Sequence, residues 1–252
     1  MRKNLVYDLP TRLFHWLFAG LFLTSFIIAK TIDDDSPWFS YHSLLGLTLG
    51  FLVILRIAWG IFGTKHARFL NFDLKPMDLI GYIKGIFAGE KKRWAGHNPA
   101  SSWAAIIMII MALGLTVTGY LMTSGADKET YEDVHELLAN GFIIVVILHV
   151  AGIILHTIRH KEMIGISMID GKKANVTIDQ TIPSSRPAFG ILTIALVVAF
   201  GLHLFKNYNG QTRSLQFFGT KLQLSEVEEN EQPNNNGSGE AAEENEEQGD
   251  DD

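Results

Sequence analysis

His135 and His149 stand fourteen residues apart in one apolar stretch, and His15 and His42 lie near the starts of two others. An α-helix turns about 100° per residue, so fourteen residues return a side chain to nearly the same face, roughly 21 Å farther along the axis. One helix can then present an imidazole to each of two stacked cofactors. Four imidazoles in apolar surroundings have the chemistry to ligate two bis-histidine haems, with iron as the metal and His15, His42, His135 and His149 as its ligands.

The elements that must position these side chains are membrane helices. The chain has 252 residues, 47% of them hydrophobic, with several apolar runs close to the twenty residues that cross a hydrocarbon core. Five spans are expected, at about 13–29, 41–62, 103–123, 134–158 and 188–205. Lipid offers no partner for unpaired backbone groups, so each must be helical. The first span is preceded by Arg2 and Lys3 but runs through Lys30 into Asp33, Asp34 and Asp35 with no small-residue cleavage site, and reads as a retained helix.

Basic residues orient the bundle. Segments 1–12, 63–98 and 159–187 carry fifteen Lys or Arg, whereas the two short loops on the other side carry only Lys30 and Lys128. The positive-inside rule makes the amino terminus cytoplasmic and, with five spans, puts the carboxyl end outside, in the periplasm if the membrane is a bacterial inner membrane. The formal charge of −6 belongs to the tail: from Glu226 to Asp252 there are twelve acidic residues and no basic one. Such a segment cannot offset its ordering entropy and is expected to be disordered, either a solvating appendage or a docking arm for a basic periplasmic protein.

With no cysteine, disulfides, iron–sulfur ligation and covalent haem attachment are excluded. No Gly-rich phosphate loop or dinucleotide fingerprint occurs, and no nucleic-acid partner is expected.

Depth sorts the histidines. His42 and His135 both open their spans from the outside and should meet near the outer surface. His15 lies about one turn inside the cytoplasmic end of the first span, facing His149 and His156 of the fourth, which are seven residues apart and share a face; depth leaves both open. Gly46 and Gly50 follow His42 at i+4 and i+8, suiting the approach of a flat macrocycle or tight helix packing. Arg56, fourteen residues after His42, faces the bundle near the inner side, where it could pair with haem propionates or reach the cytoplasmic surface. His203 is expected at the outer interface, and His66 and His160 on the cytoplasmic surface. Residues 69–87, with Phe69, Phe72, Met77, Ile80, Ile83, Ile86 and Phe87 among lysines, suggest a short helix on the inner membrane surface.

Tyr7-Asp8-Leu9-Pro10-Thr11-Arg12-Leu13-Phe14-His15-Trp16, then His42, then Val134-His135-Glu136-Leu137-Leu138-Ala139-Asn140 and Leu148-His149-Val150 resemble the bacterial cytochrome b561 and nickel-hydrogenase cytochrome b family. The resemblance spans roughly residues 5–165. It implies an all-α four-helix transmembrane domain holding two non-covalent b-type haems, His15 with His149 and His42 with His135, and leaves His156 as a nearby or quinone-site residue. Gly96-His97-Asn98-Pro99 resembles the hydrogenase-type branch; Asn98-Pro99 is also a helix-start signal, which favours a structural role. The domain plan expected is a dihaem bundle at 1–165, a cytoplasmic linker at 166–187, the fifth helix at 188–205 and a periplasmic segment with the acidic tail at 206–252. The last two lie outside the family core.

The resulting expectation is electron transfer between the quinone pool in the lipid and a periplasmic partner, a c-type cytochrome or a hydrogenase. Two rivals use the same residues: a haem enzyme oxidising superoxide or another small molecule and passing the electron to quinone, and a histidine-lined metal-ion transporter or sensor.

Overall fold

The computed structural model describes residues 3–89, 94–174 and 176–226. Its elements in chain order are β1 (Lys3–Leu5), α1 (Leu9–Thr31), α2 (Ser40–Phe62), α3 (Pro76–Phe87), α4 (Pro99–Thr123), α5 (Lys128–His160), α6 (Ser167–Asp170), β2 (Lys172–Ala174), α7 (Pro187–Asn207), β3 (Tyr208–Asn209), β4 (Ser214–Phe217) and β5 (Thr220–Gln223). Five helices, α1, α2, α4, α5 and α7, are long and apolar enough to cross a membrane. We call the end of the bundle where α1 begins the N face, and the opposite end the C face.

Each helix starts where local chemistry permits. Asp8 caps α1 by accepting the Thr11 N–H at 2.8 Å, with Pro10 in the first turn. Asn98 caps α4 in the same way through Ser101 N–H, with Pro99 following. Helix α5 runs for 33 residues, about 50 Å at 1.5 Å per residue and well beyond a hydrocarbon core of about 30 Å. Its first turns, rich in acidic residues, therefore stand clear of the lipid. Along α5 and α7 the exposed side chains include Ile144, Ile147, Leu148, Ile154, Leu155, Ile191, Val198 and Leu202, the apolar surface that lipid requires. Trp16 towards the N face and Trp38 and Tyr41 towards the C face are exposed at the interfacial levels favoured by aromatic rings.

The bundle consists of two tight pairs. Helices α1 and α2 lie against each other, α4 packs along α5, α2 touches α4, and α7 covers the outside of α1 and α2. Small residues let these backbones approach: the missing side chain of Gly50 is replaced by Thr116 of α4, that of Gly190 on α7 by Leu9, and that of Gly114 by Leu138 of α5. By contrast, α5 has no comparable backbone approach to α1 or α2. It reaches them by side chains, across a seam. The buried core of that seam is Leu49, Val53, Ile109, Ala112, Leu115 and Phe142.

Both faces are capped by ordered chain. At the N face β1 pairs antiparallel with β2, Asn4 opposite Lys173, and Trp16 Nε1 donates to the Met168 carbonyl at 2.9 Å. Residues 166–187 thus form a clasp under the bundle. At the C face β3, β4 and β5 make a meander that buries Leu215, Leu222 and Leu224 against Leu44 and Leu204. Its tight turn puts Phe218 and Gly219 both at positive φ, a two-residue hairpin geometry that is costly for the bulky Phe218. The acidic tail beyond Glu226 lies outside the described residues. Helix α3 exposes Met77, Ile80, Ile83 and Phe87, as a helix lying on a membrane surface would.

The fully buried Asp8 also accepts from Trp59 Nε1 at 3.1 Å and from Thr64 Oγ1 at 2.5 Å, tying the start of α1 to the end of α2. Asp8→Ala removes a helix cap and strands two buried donors, and should destabilise the protein by about 2–4 kcal/mol, with Asp8→Asn costing less. Unfolding in detergent micelles measures this; an Asp8→Ala protein as stable as the parent would refute the assignment.

Candidate haem-binding site

The seam between α5 and the α1/α2 pair is where the histidines gather. At the C face the rings of His42 of α2 and His135 of α5 come together, centroids 6.0 Å apart with planes at 73°. Metal–imidazole bonds of about 2 Å fit between rings at that separation. The inward-facing nitrogens are fixed by what holds the others. His42 Nδ1 lies 2.9 Å from the Ser25 carbonyl, which can only accept, so Nδ1 carries the proton; Ser25 Oγ is also at 2.9 Å. His135 Nδ1 lies 2.8 Å from Thr118 Oγ1, whose own proton goes to the Gly114 carbonyl at 2.8 Å. Each Nδ1 is therefore a donor, and each Nε2 keeps its lone pair for a metal.

At the N face His15 of α1 and His149 of α5 lie within electrostatic reach of each other across the same seam, with the His15 ring edge-on to Trp16 at 5.2 Å. His156 is placed elsewhere. It lines a cavity of about 340 Å³ at the N face with Lys3, Trp94, Met163, Ile164 and Lys173, and its ring stacks on His160 at 4.2 Å.

Arg56 is buried near the N face. One guanidinium nitrogen donates to the Ala67 carbonyl at 3.1 Å, the ring of Phe69 lies 4.9 Å from the guanidinium carbon and that of Phe14 5.7 Å, but Nη1 has no partner. A buried guanidinium with one unmet donor suits a carboxylate such as a haem propionate. The two glycines differ. A Cβ on Gly50 would strike Thr116, so that position serves helix packing, whereas Gly46, one turn from His42, faces open space. The free Nε2 atoms, the open space at Gly46, the unmet Arg56 donor and the seam itself all fit haem.

Among the described residues no three His, Asp or Glu side chains gather at one point. Protein-only coordination of an ion would need more donors than a pair supplies. Haem brings its own four nitrogens, so two imidazoles complete it.

Beside the N-face pair, His97 packs on Phe72 at 4.6 Å and edge-on to Tyr7 at 5.7 Å. Burial, then the cations Lys173 and Arg56, push its imidazole down to about 3, so it is neutral at physiological pH. Burial likewise pushes Lys173 down to about 8; its ammonium lies over the Tyr7 ring at 5.1 Å and donates to the Gly96 carbonyl at 3.0 Å. His66, expected on the surface, is instead half-buried, with Nε2 donating to the Gln180 carbonyl at 2.7 Å; the clasp of residues 166–187 covers it. His203 is exposed and stacks on Phe218. Ser25 and Thr118 carry no distinguishing signal in the sequence, since Thr24 stands beside one and Thr116 two residues from the other, although a hydroxyl in an apolar span generally needs a partner.

Imidazoles brought together across one seam of an apolar helical bundle, with no cysteine in the sequence for covalent attachment, are what a b-type cytochrome requires. Residues 6–171 match the model of the prokaryotic cytochrome b561 family, described under nickel-hydrogenase cytochrome b, and the chain belongs to that family. It is a membrane electron-transfer protein that carries haem b. The chain is 23% identical over 210 residues to a probable Ni/Fe-hydrogenase B-type cytochrome subunit of Rhizobium leguminosarum bv. viciae, covering 67% of this chain and 87% of that protein. It is 25% identical over 153 residues to the protein of the same description from Azotobacter vinelandii, covering 51% of this chain and 63% of that one. The counterpart in Bradyrhizobium diazoefficiens is 23% identical over 209 residues, covering 67% and 85%. No solved structure gives a significant match.

Thr118→Val removes the hydroxyl that holds His135 Nδ1 and should weaken haem retention at the C face by about 10–100-fold while sparing the N face. Haem titration of the apo-protein reads the change; equal affinity in the variant would refute the role of Thr118.

Proposed function

We propose that the chain is a dihaem cytochrome carrying electrons across a bacterial inner membrane. His15 with His149 holds one haem at the N face and His42 with His135 holds the other at the C face. The observation that supports this best is that both pairs bridge one seam from opposite ends, with one partner of each on α5. The bound haem supplies a reversible one-electron iron couple. The chain supplies the axial nitrogens, buries them, exposes Gly46 to the macrocycle and offers Arg56 to a propionate.

The N face is assigned to the cytoplasm on the strength of the fifteen Lys and Arg that the sequence carries in segments 1–12, 63–98 and 159–187. Quinone is assigned to this side, where His156 and Lys173 line the cavity together with the apolar Trp94, Met163 and Ile164. At the C face the partner is a periplasmic redox protein. The names of the relatives favour a hydrogenase, and a c-type cytochrome meets the same chemical requirement.

The acidic tail is assigned to drawing that partner in. Its root is fixed beside the His135-bearing helix: Glu226 pairs with Lys128 at the start of α5, and its N–H donates to the Asp34 carbonyl at 3.1 Å. Deleting residues 227–252 should slow electron exchange with a basic partner several-fold at low salt and little at high salt. Stopped-flow kinetics against ionic strength provide the test, and an unchanged rate at low salt would return the tail to a solvating role.

The cofactor assignment is tested by a haem assay with a reduced-minus-oxidised spectrum. Two haems b per chain are expected, and His42→Ala and His149→Ala should each remove a different spectral component. One haem per fully loaded chain, or loss of the same component from both variants, would overturn the two-site arrangement.

A further inference from the structure

Phe142 stands seven residues after His135 and seven before His149, on the same face of α5 and about 10 Å from each along the axis. It is the only buried residue among the 33 of α5, and the largest fully buried side chain among the described residues. The rest of the helix faces lipid, its neighbour α4 or the seam. One ring is thus sunk completely into the seam, midway between the two imidazole levels.

What meets it there is another column of rings. Phe14, Phe18, Phe22 and Phe26 follow one another at four-residue intervals on α1, with successive centroids 5.3, 6.5 and 6.0 Å apart. The column starts beside His15 and ends beside Ser25, the partner of His42. Phe142 touches its middle, 4.1 Å from Phe22 and 5.8 Å from Phe18, while Leu49, Val53, Ile109, Ala112 and Leu115 close the remaining sides. Because α5 approaches α1 far less closely by backbone than it approaches α4, these rings fill the seam between its two ends.

Resting on the dihaem reading, we propose that Phe142, packed against Phe22, is the bridge between the two haem sites: it fixes the gap between them and supplies the medium an electron crosses. The transfer is one electron, one site being oxidised as the other is reduced, with no proton moved and no bond made or broken. Close packing matters because an electron crosses filled space faster than empty space, and interiors are filled to crystal-like density. Phe142 ligates nothing. It acts by position.

The test uses purified, fully haem-loaded protein in liposomes, with Phe142→Ala, Phe142→Leu and Phe22→Ala. Haem content and the low-spin bis-imidazole signals in electron paramagnetic resonance are measured first, and both haems and both signals should persist in all three. An electron is then injected at the C face by flash from a membrane-impermeant ruthenium photoreductant, and its arrival at the N face is followed at wavelengths assigned with His42→Ala and His149→Ala. Transfer should slow several-fold in Phe142→Ala and in Phe22→Ala, and keep more than half its rate in Phe142→Leu, which refills most of the space. An unchanged rate in either alanine variant with both haems present overturns the bridge and leaves the two-haem arrangement standing. Loss of a haem from an alanine variant and from Phe142→Leu alike also overturns it, making Phe142 a pocket wall. One haem per chain in the parent protein overturns the dihaem reading and the bridge with it.

Discussion

The carboxylate of Asp8 is the constraint from which the depths of the site follow. It caps α1 through Thr11, and the same group accepts from Trp59 at the end of α2 and from Thr64 just beyond. A buried carboxylate is costly unless its oxygens are met, and here three donors meet them. Two antiparallel helices pinned at one end cannot slide, so the level of His15 on α1 is set relative to that of His42 on α2. The second pin is at the other end, where Ser25 of α1 holds the His42 ring. The other pair is locked in the same manner, by Leu138 of α5 filling the space at Gly114 of α4 and by Thr118 of α4 holding His135. Two rigid pairs then face each other, and imidazoles on each are brought to matched heights.

Much of this was legible because membrane helices obey few rules strictly. Hydropathy located all five spans, and a fourteen-residue spacing put His135 and His149 on one face. The ends were harder. Helix α1 begins four residues earlier than its apolar run, because Asp8 and Pro10 start a helix whatever the polarity of the next turn. Helix α5 extends six residues outward through Lys128–Asp133, polar turns that hydropathy cannot distinguish from loop. The meander at 208–223 leaves little trace in the sequence, since its strands are two to four residues long and its turn, Phe218-Gly219, lacks the usual Asn or Asp. The clasp at 166–187 was read as a linker because its order comes from pairing with Lys3–Leu5, a contact far away in sequence.

The same distinction applies inside the site. Spacing shows which face a residue occupies but not what stands opposite it. Gly46 and Gly50 look alike in the sequence, yet one faces open space and the other a threonine. His149 and His156 share a face, and their surroundings differ because the clasp builds a cavity around His156 alone. Phe142 went unnoticed among the apolar residues of α5, since total burial depends on the rings that α1 brings to it.

The two ends of the seam differ in charge, and on the dihaem reading that difference has a direction. Around His97, beside the N-face pair, stand Arg56 and Lys173, and the buried carboxylate of Asp8 acts on Arg56. Around the C-face pair the exposed charges are mostly acidic: Asp34 and Asp35 on one loop, and Asp127, Glu129, Glu132, Asp133 and Glu136 at the start of α5. Adding an electron lowers the charge of a site by one, which nearby cations favour and nearby carboxylates oppose. Within low-dielectric surroundings such charges act over longer distances than in water. The buried Arg56 is opposed by the likewise buried Asp8, so the difference between the two ends rests on the exposed acids, which salt screens. On the dihaem reading, the acids around the C face oppose an added electron there, and that opposition fades as salt rises.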